Sequence, residues 1–201
     1  MSDGVWLFGY GSLVSRASFS HTLGRRLTAG VDFHEAELSG FERRWAYSIR
    51  SVPADAVDGR TCAAADWTIT VLGVERAPDA IVNGVIGWVG SEKLAEFDVR
   101  ERTYERVDVS ALTAVHDEGW AGGPIVTYVP TSEPRRRYDE ARAQGTAVVD
   151  EQYWRLVDTA FAGLGADRRT RFHASTAAPE VPIVPVRLDA VPERHRVDGG
   201  G

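Results

Sequence analysis

Near the start of the chain an apolar run, Val5-Trp6-Leu7-Phe8, breaks into Gly9-Tyr10-Gly11-Ser12-Leu13. The run has the length and composition of a buried strand, so this end of the chain belongs inside a sheet. Glycines at 9 and 11 permit backbone angles, and a close approach by another molecule, that a side chain forbids. The turn is thereby able to present bare amide N–H groups to a ligand, as anion-binding nests do. A plain strand-ending turn has the same pattern, and this stretch alone does not separate the two.

The remaining apolar segments come as strands first and helices later. Residues 31–38 and 44–49 read as strands flanking Ser39-Gly40, and 69–74 and 81–89 read as two more. The polar, Ala- and Asp-rich segment 50–67 reads as a loop insertion. Ser91 is placed as the N-cap of a helix running to about Arg100. Residues 104–109 and 125–129 are again strand-like. Helices are expected over 134–144, closed by Gly145, and over 151–164, closed by Gly165, glycine just past a helix end being the usual cap. Strands ahead of a helical C-terminal portion predict an α+β fold rather than a doubly wound sheet. The glycine turn has neither a G-x-G-x-x-G spacing nor a clear helix after it, which argues against a dinucleotide site. The expected organisation is one domain over 1–178, followed over 179–201 by an extended segment (Val181 to Leu188) and a flexible tail.

Composition narrows the function classes. The 201 residues are 43% hydrophobic and 26% charged, enough apolar material for a core, with six tryptophans. A formal net charge of −6 argues against a broad nucleic-acid surface. The basic cluster Arg135-Arg136-Arg137 lies among Glu133, Asp139 and Glu140 and reads as a solvated helix face. Cys62 is the one cysteine, so no intrachain disulfide and no cysteine-based zinc site is expected; with no His beside it, the thiol reads as inert. His21, His34, His116, His173 and His195 show no ligand spacing, and no metal is expected. No apolar stretch reaches the length of a membrane span, and no basic region precedes the first apolar run, so a soluble cytoplasmic protein is expected. A serine nucleophile at Ser12 would need a partner base that the sequence does not supply.

A second informative stretch runs from Leu94 to Arg106. On a helix Leu94, Phe97 and Glu101 fall at i, i+3 and i+7, on one face. Glu101 thus extends an apolar stripe. Burial and the negative end of the helix dipole both disfavour its charged form, pushing its pKa towards the range useful for a general acid or base near pH 7. A helix-terminal glutamate pairing with Arg102 or Arg106 at the surface fits the same periodicity, and spacing leaves both readings open. Gly40-Phe41-Glu42-Arg43-Arg44-Trp45 has two readings as well: an arginine at a pocket, or a turn leading into a strand.

Together these stretches resemble the gamma-glutamylcyclotransferase family, which includes the ChaC-type and AIG2-like branches. The resemblance rests on Phe8-Gly9-Tyr10-Gly11-Ser12-Leu13, Gly40 to Trp45, Asn83-Gly84-Val85-Ile86-Gly87, and Phe97-Asp98-Val99-Arg100-Glu101, which looks like the family's L-D-x-R-E segment. Pro134 to Tyr138 and Gln152-Tyr153-Trp154 are similar to its C-terminal helical part, so most of residues 5–165 is covered. The sequence departs from the pattern at Phe97, which replaces a leucine, in the long 50–67 segment, and after 165. The resemblance implies a small, strongly curved mixed β-sheet or barrel with flanking helices. It implies that Tyr10, Gly11, Ser12 and Leu13 bind substrate, that Glu101 is catalytic, and that Tyr138 lines the pocket.

The implied reaction is cofactor-independent. The α-amine of a small γ-glutamyl substrate attacks its own γ-carbonyl and releases 5-oxoproline and an amine or amino acid. Folding the substrate so that amine and carbonyl meet is an orientation effect. One carboxylate can take the proton from the α-ammonium and return it to the leaving nitrogen, a role that falls to Glu101. A dipeptide, glutathione (placing the protein in glutathione metabolism), a γ-glutamylamine or a γ-glutamyl-masked intermediate would each serve as substrate. A non-catalytic ligand-binding member of the same fold and a glutamate-dependent amide hydrolase are the alternatives. A carboxylate on that apolar face favours the enzyme. A monomer or weak homodimer is expected.

Overall fold

A computed structural model describes residues 3–57, 66–117 and 119–187. Eight strands form one mixed sheet, with five α-helices around it among the described residues. The first strand, β1 (Gly4–Gly9), is central. It pairs antiparallel with β3 (Asp66–Gly90) on one side and parallel with β6 (Ile125–Pro130) on the other. That seat explains its unbroken apolar run: Trp6 and Phe8 face one cluster of the core and Leu7 the other, all nearly free of solvent.

Two long strands carry the curvature. β2 (Phe33–Pro53) pairs antiparallel with β3 along nearly their full lengths. The sequence reading split each of them in two, at Ser39-Gly40 and between residues 74 and 81. The chain instead runs through as single strands, with register shifts between Ser39 and Phe41, Trp45 and Tyr47, and Ser48 and Arg50. Gly40, at φ 78°, supplies the left-handed residue at the first of these. Residues 50–53 and 66–67, expected in a loop, belong to the strands; 58–65, with Cys62, lie outside the described residues.

Other expectations also needed correction. The glycine turn is followed by a helix after all: α1 (Arg16–Leu23) is capped by the Ser15 hydroxyl, which accepts from the Ser18 N–H at 3.3 Å, and is closed by Gly24 at φ 67°. The N-cap of α2 (Ser91–Arg100) is Gly90, not Ser91. β4 (Tyr104–Asp108) pairs with β6, and the short β5 (Thr113–Val115), absent from the sequence reading, pairs with β2. α3 (Ser132–Ala143) and α4 (Glu151–Leu164) lie close to their expected spans. Between them β7 (Ala147–Asp150) adds to β3 in parallel, and α5 (Ala166–Ala174) extends the helical portion. The extended segment after 179 returns to the sheet: β8 (Ile183–Val184) pairs with β7, Val186 bridges Val57, and Val181, Val184 and Val186 are buried. Residues 188–201, including His195, lie outside the described residues.

Candidate active site

The C-terminal end of β1 opens into a pocket of about 590 Å³, part of it open to solvent. One wall is the turn Gly9-Tyr10-Gly11-Ser12-Leu13. The end of α2 contributes Phe97 and Glu101, and Leu72, Tyr104, Tyr128 and Tyr153 also line the pocket. The two stretches singled out in the sequence therefore meet over one cavity, although some ninety residues of chain separate them.

The glycines serve close packing. Neither Gly9 nor Gly11 has a positive φ. A Cβ at Gly9 would lie 2.7 Å from the Leu13 Cβ, and one at Gly11 would lie 3.1 Å from the Tyr153 hydroxyl. Gly84 serves the same purpose from β3, since its Cβ would meet the Gly9 carbonyl at 2.4 Å. The close approach inferred from the sequence is thus made first by the protein's own atoms.

Glu101 caps the C-terminal end of α2, where its N–H donates to the Phe97 carbonyl at 2.7 Å. Phe97 is buried and stacks on Tyr128, with ring centres 6.3 Å apart. Tyr128 donates to Asp98 at 2.8 Å, and Asp98 also accepts from Arg106 at 2.6 Å. These contacts pin the last turn of α2 and hence the direction of Glu101. Arg106, one of the surface partners considered for Glu101, is engaged by Asp98.

Four phenols, those of Tyr10, Tyr104, Tyr128 and Tyr153, share the pocket with that carboxylate, and burial raises the pKa of each. The Tyr10 phenol is raised well above its ordinary pKa, first by burial, then by the charges of Tyr104, Tyr153 and Glu101. Burial likewise raises Tyr104, with Tyr153 and Glu101 adding to it. Burial also raises Tyr153, although backbone hydrogen bonds from Leu72 and Ser12 to its oxygen work against this. Tyr10 donates its hydroxyl proton to the Tyr128 carbonyl at 2.8 Å, which ties the turn to β6. Among the described residues Glu101 is the one carboxylate lining the pocket, so no other lining acid is available as a base at neutral pH.

Of the residues assigned from the sequence, Tyr10, Gly11, Ser12, Leu13 and Glu101 come together here. Tyr138 does not line this pocket. It sits on α3, 2% exposed, in the larger core cluster with Ala141. Tyr153 of α4, quoted in the sequence only as part of a helical motif, reaches the turn instead.

Behind the turn lies Arg43, also not assigned. Phe41, Arg43 and Trp45 alternate on β2 and are all buried, whereas Arg44 is exposed; period-two alternation was the signal that placed Arg43 inside. Its guanidinium donates to the Tyr10 carbonyl at 3.0 Å.

No family model matches the chain, and no curated protein sequence matches it. Solved structures do resemble it. A gamma-glutamyl cyclotransferase superposes with a TM-score of 0.57 at 15% identity, the alignment covering 94% of this chain and 96% of that one. An uncharacterized protein from Homo sapiens gives 0.58 at 16% identity, with the same coverage. YkqA from Bacillus subtilis gives 0.52 at 14% identity over 86% of this chain and 54% of its own. Likeness at such low identity speaks to architecture, and it agrees with the curved mixed sheet and its flanking helices. The chain has the gamma-glutamyl cyclotransferase fold.

Proposed function

We propose that this protein is a γ-glutamyl cyclotransferase, with Glu101 as its general base and acid. One observation carries the reading: the glycine turn and Glu101 line a single pocket whose other ionisable walls are phenols raised by burial. A γ-glutamyl group brings its own nucleophile. Once the pocket bends the chain so that the α-nitrogen approaches the γ-carbonyl, ring closure is intramolecular and gains the rate advantage of enforced proximity. Glu101 removes a proton from the α-ammonium, the amine adds to the carbonyl, and the tetrahedral intermediate collapses as the leaving nitrogen takes that proton; the ring nitrogen gives up its second proton as the lactam forms, and the freed amine carries it away as its ammonium. The products are 5-oxoproline and a free amine or amino acid. Amide N–H groups of the 10–13 turn are suited to the negatively charged oxygens of substrate and intermediate, and phenols that stay protonated supply further donors. No chemical step calls for a cofactor or a metal ion.

The test is release of 5-oxoproline from glutathione, γ-glutamyl dipeptides and γ-glutamylamines, with Glu101→Gln as control. Lactam formed by the parent protein and lost in the variant supports the reading. Free glutamate in place of the lactam identifies a hydrolase, and silence across the panel while a γ-glutamyl ligand still binds identifies a binding protein.

A further inference from the structure

Arg43 is 1% exposed and uses every N–H it has. Nε donates to the Thr176 hydroxyl at 2.7 Å, Nη1 to the carbonyls of Tyr10 at 3.0 Å and Asn83 at 2.9 Å, and Nη2 to the Asn83 side-chain oxygen at 3.0 Å and the Ser175 hydroxyl at 3.2 Å. All five acceptors are neutral oxygens. The rings of Phe161 and Phe172, whose centres lie 4.8 and 4.6 Å from Cζ, give it a soft electrostatic seat. A cation buried in this way retains a net positive field, because dipoles and ring faces offset desolvation without cancelling the charge. Burial lowers its pKa to about 9, which leaves it protonated at neutral pH, and its charge is felt by the Tyr153 phenol in the pocket.

The peptide between Arg43 and the pocket relays this charge. The Tyr10–Gly11 bond is trans, so with the Tyr10 carbonyl turned to the guanidinium the Gly11 N–H points the opposite way. Gly11 lines the pocket. A charge-assisted bond to the carbonyl also polarises the peptide and makes its N–H a stronger donor.

We propose that Arg43 is a positioning residue for the substrate's α-carboxylate, aiming the Gly11 N–H at it and supplying its counter-charge from behind the turn. This rests on the cyclotransferase reading, since the carboxylate in question belongs to the γ-glutamyl group and persists in 5-oxoproline. The arrangement completes an otherwise uncompensated core charge when substrate binds, and it recognises the half of the substrate common to all γ-glutamyl compounds.

The experiment compares 5-oxoproline with 2-pyrrolidinone, the same lactam without its carboxylate, by NMR titration of the full chain. Arg43→Met is expected to weaken 5-oxoproline binding about tenfold or more and to change 2-pyrrolidinone binding less than twofold, the pattern of a lost charge contact. Asn83→Asp is the second variant: it places a carboxylate beside Arg43 at the cost of the bond its amide gives the Arg168 carbonyl at 2.9 Å, and, once its fold is checked by NMR, is expected to give the same selective loss. A purely structural arginine would weaken both ligands equally, and that result overturns the assignment. A parent protein that makes 5-oxoproline, yet whose affinity for it survives Asn83→Asp, overturns the role of Arg43 alone. A parent protein that neither binds nor forms 5-oxoproline overturns the cyclotransferase reading and this assignment with it.

Discussion

On the outer face of α3, Arg135, Arg136 and Arg137 are paired with carboxylates of Glu75, Asp139, Glu133 and Glu140 in water. Behind the glycine turn, Arg43 ends on five neutral oxygens in the core. By number of ion pairs the helix face is the richer region, yet solvent screens such pairs to little net effect. The buried guanidinium joins β2, the turn, β3 and the segment after α5. Placement rather than pairing decides what an arginine does here, and the contrast extends to the carboxylates: Glu133 pairs with arginines on the outer helix face, whereas Glu101 lines the pocket.

The largest effect that tests this contrast is on turnover. Glu101→Gln is expected to lower kcat about 10²–10⁴-fold, the usual worth of a positioned acid–base group, with Tm little changed. Gly11→Val comes next. Its side chain would crowd the Tyr153 hydroxyl, so KM is expected to rise about tenfold in a folded protein, the cost of overpacking one tight contact. An unchanged KM would remove the turn from the binding site.

A third effect separates the two regions by pH. The phenols of Tyr10, Tyr104 and Tyr153 have folded pKa values raised above the ordinary 10.0. Their contribution to stability is complete below pH 10 and is lost as rising pH ionises them in the unfolded chain first. Each contributes about 1.4 kcal/mol per pH unit beyond that point, so denaturant midpoints are expected to fall steeply above pH 10. Surface carboxylates act in the opposite sense. Asp158, whose pKa Arg169 and His173 hold below the ordinary 3.8, adds stability above that pH, and this is lost as pH falls through the lowered value. A flat alkaline limb would mean that the pocket phenols are more open than their burial indicates. The smallest effect belongs to the helix face: Arg136→Gln is expected to leave KM, kcat and Tm unchanged within error.

Much of this was legible in the sequence for a physical reason. β1 reads as a strand because it is buried on both faces, and the Leu94, Phe97, Glu101 spacing is local helix geometry. α1 was missed although Ser15 and Gly24 mark its ends, because its sequence, Arg-Ala-Ser-Phe-Ser-His-Thr-Leu, leaves only Phe19 and Leu23 buried. β2 and β3 were cut short because Gly40 and the Ala77-Pro78-Asp79 run resemble turns, and a long strand that bends through bulges keeps such residues inside it. Tyrosine placement was the least legible. Tyr138 and Tyr153 both lie on helices of the C-terminal half, and the direction of a long side chain depends on how the helix docks. That is tertiary information, as is the parallel addition of β7 to β3 between two helices.

The seat of β1 also bears on how the molecule is made. This strand leaves the ribosome well before its neighbours, residues 85–90 of β3 and 125–126 of β6. The turn that follows it then waits for Tyr153, and Arg43 waits for Ser175 and Thr176. Contacts of such long sequence separation form late. The apolar N-terminal segment therefore stays exposed through most of synthesis, and a nascent chain released before residue 176 has no finished pocket, however much of its sheet has folded.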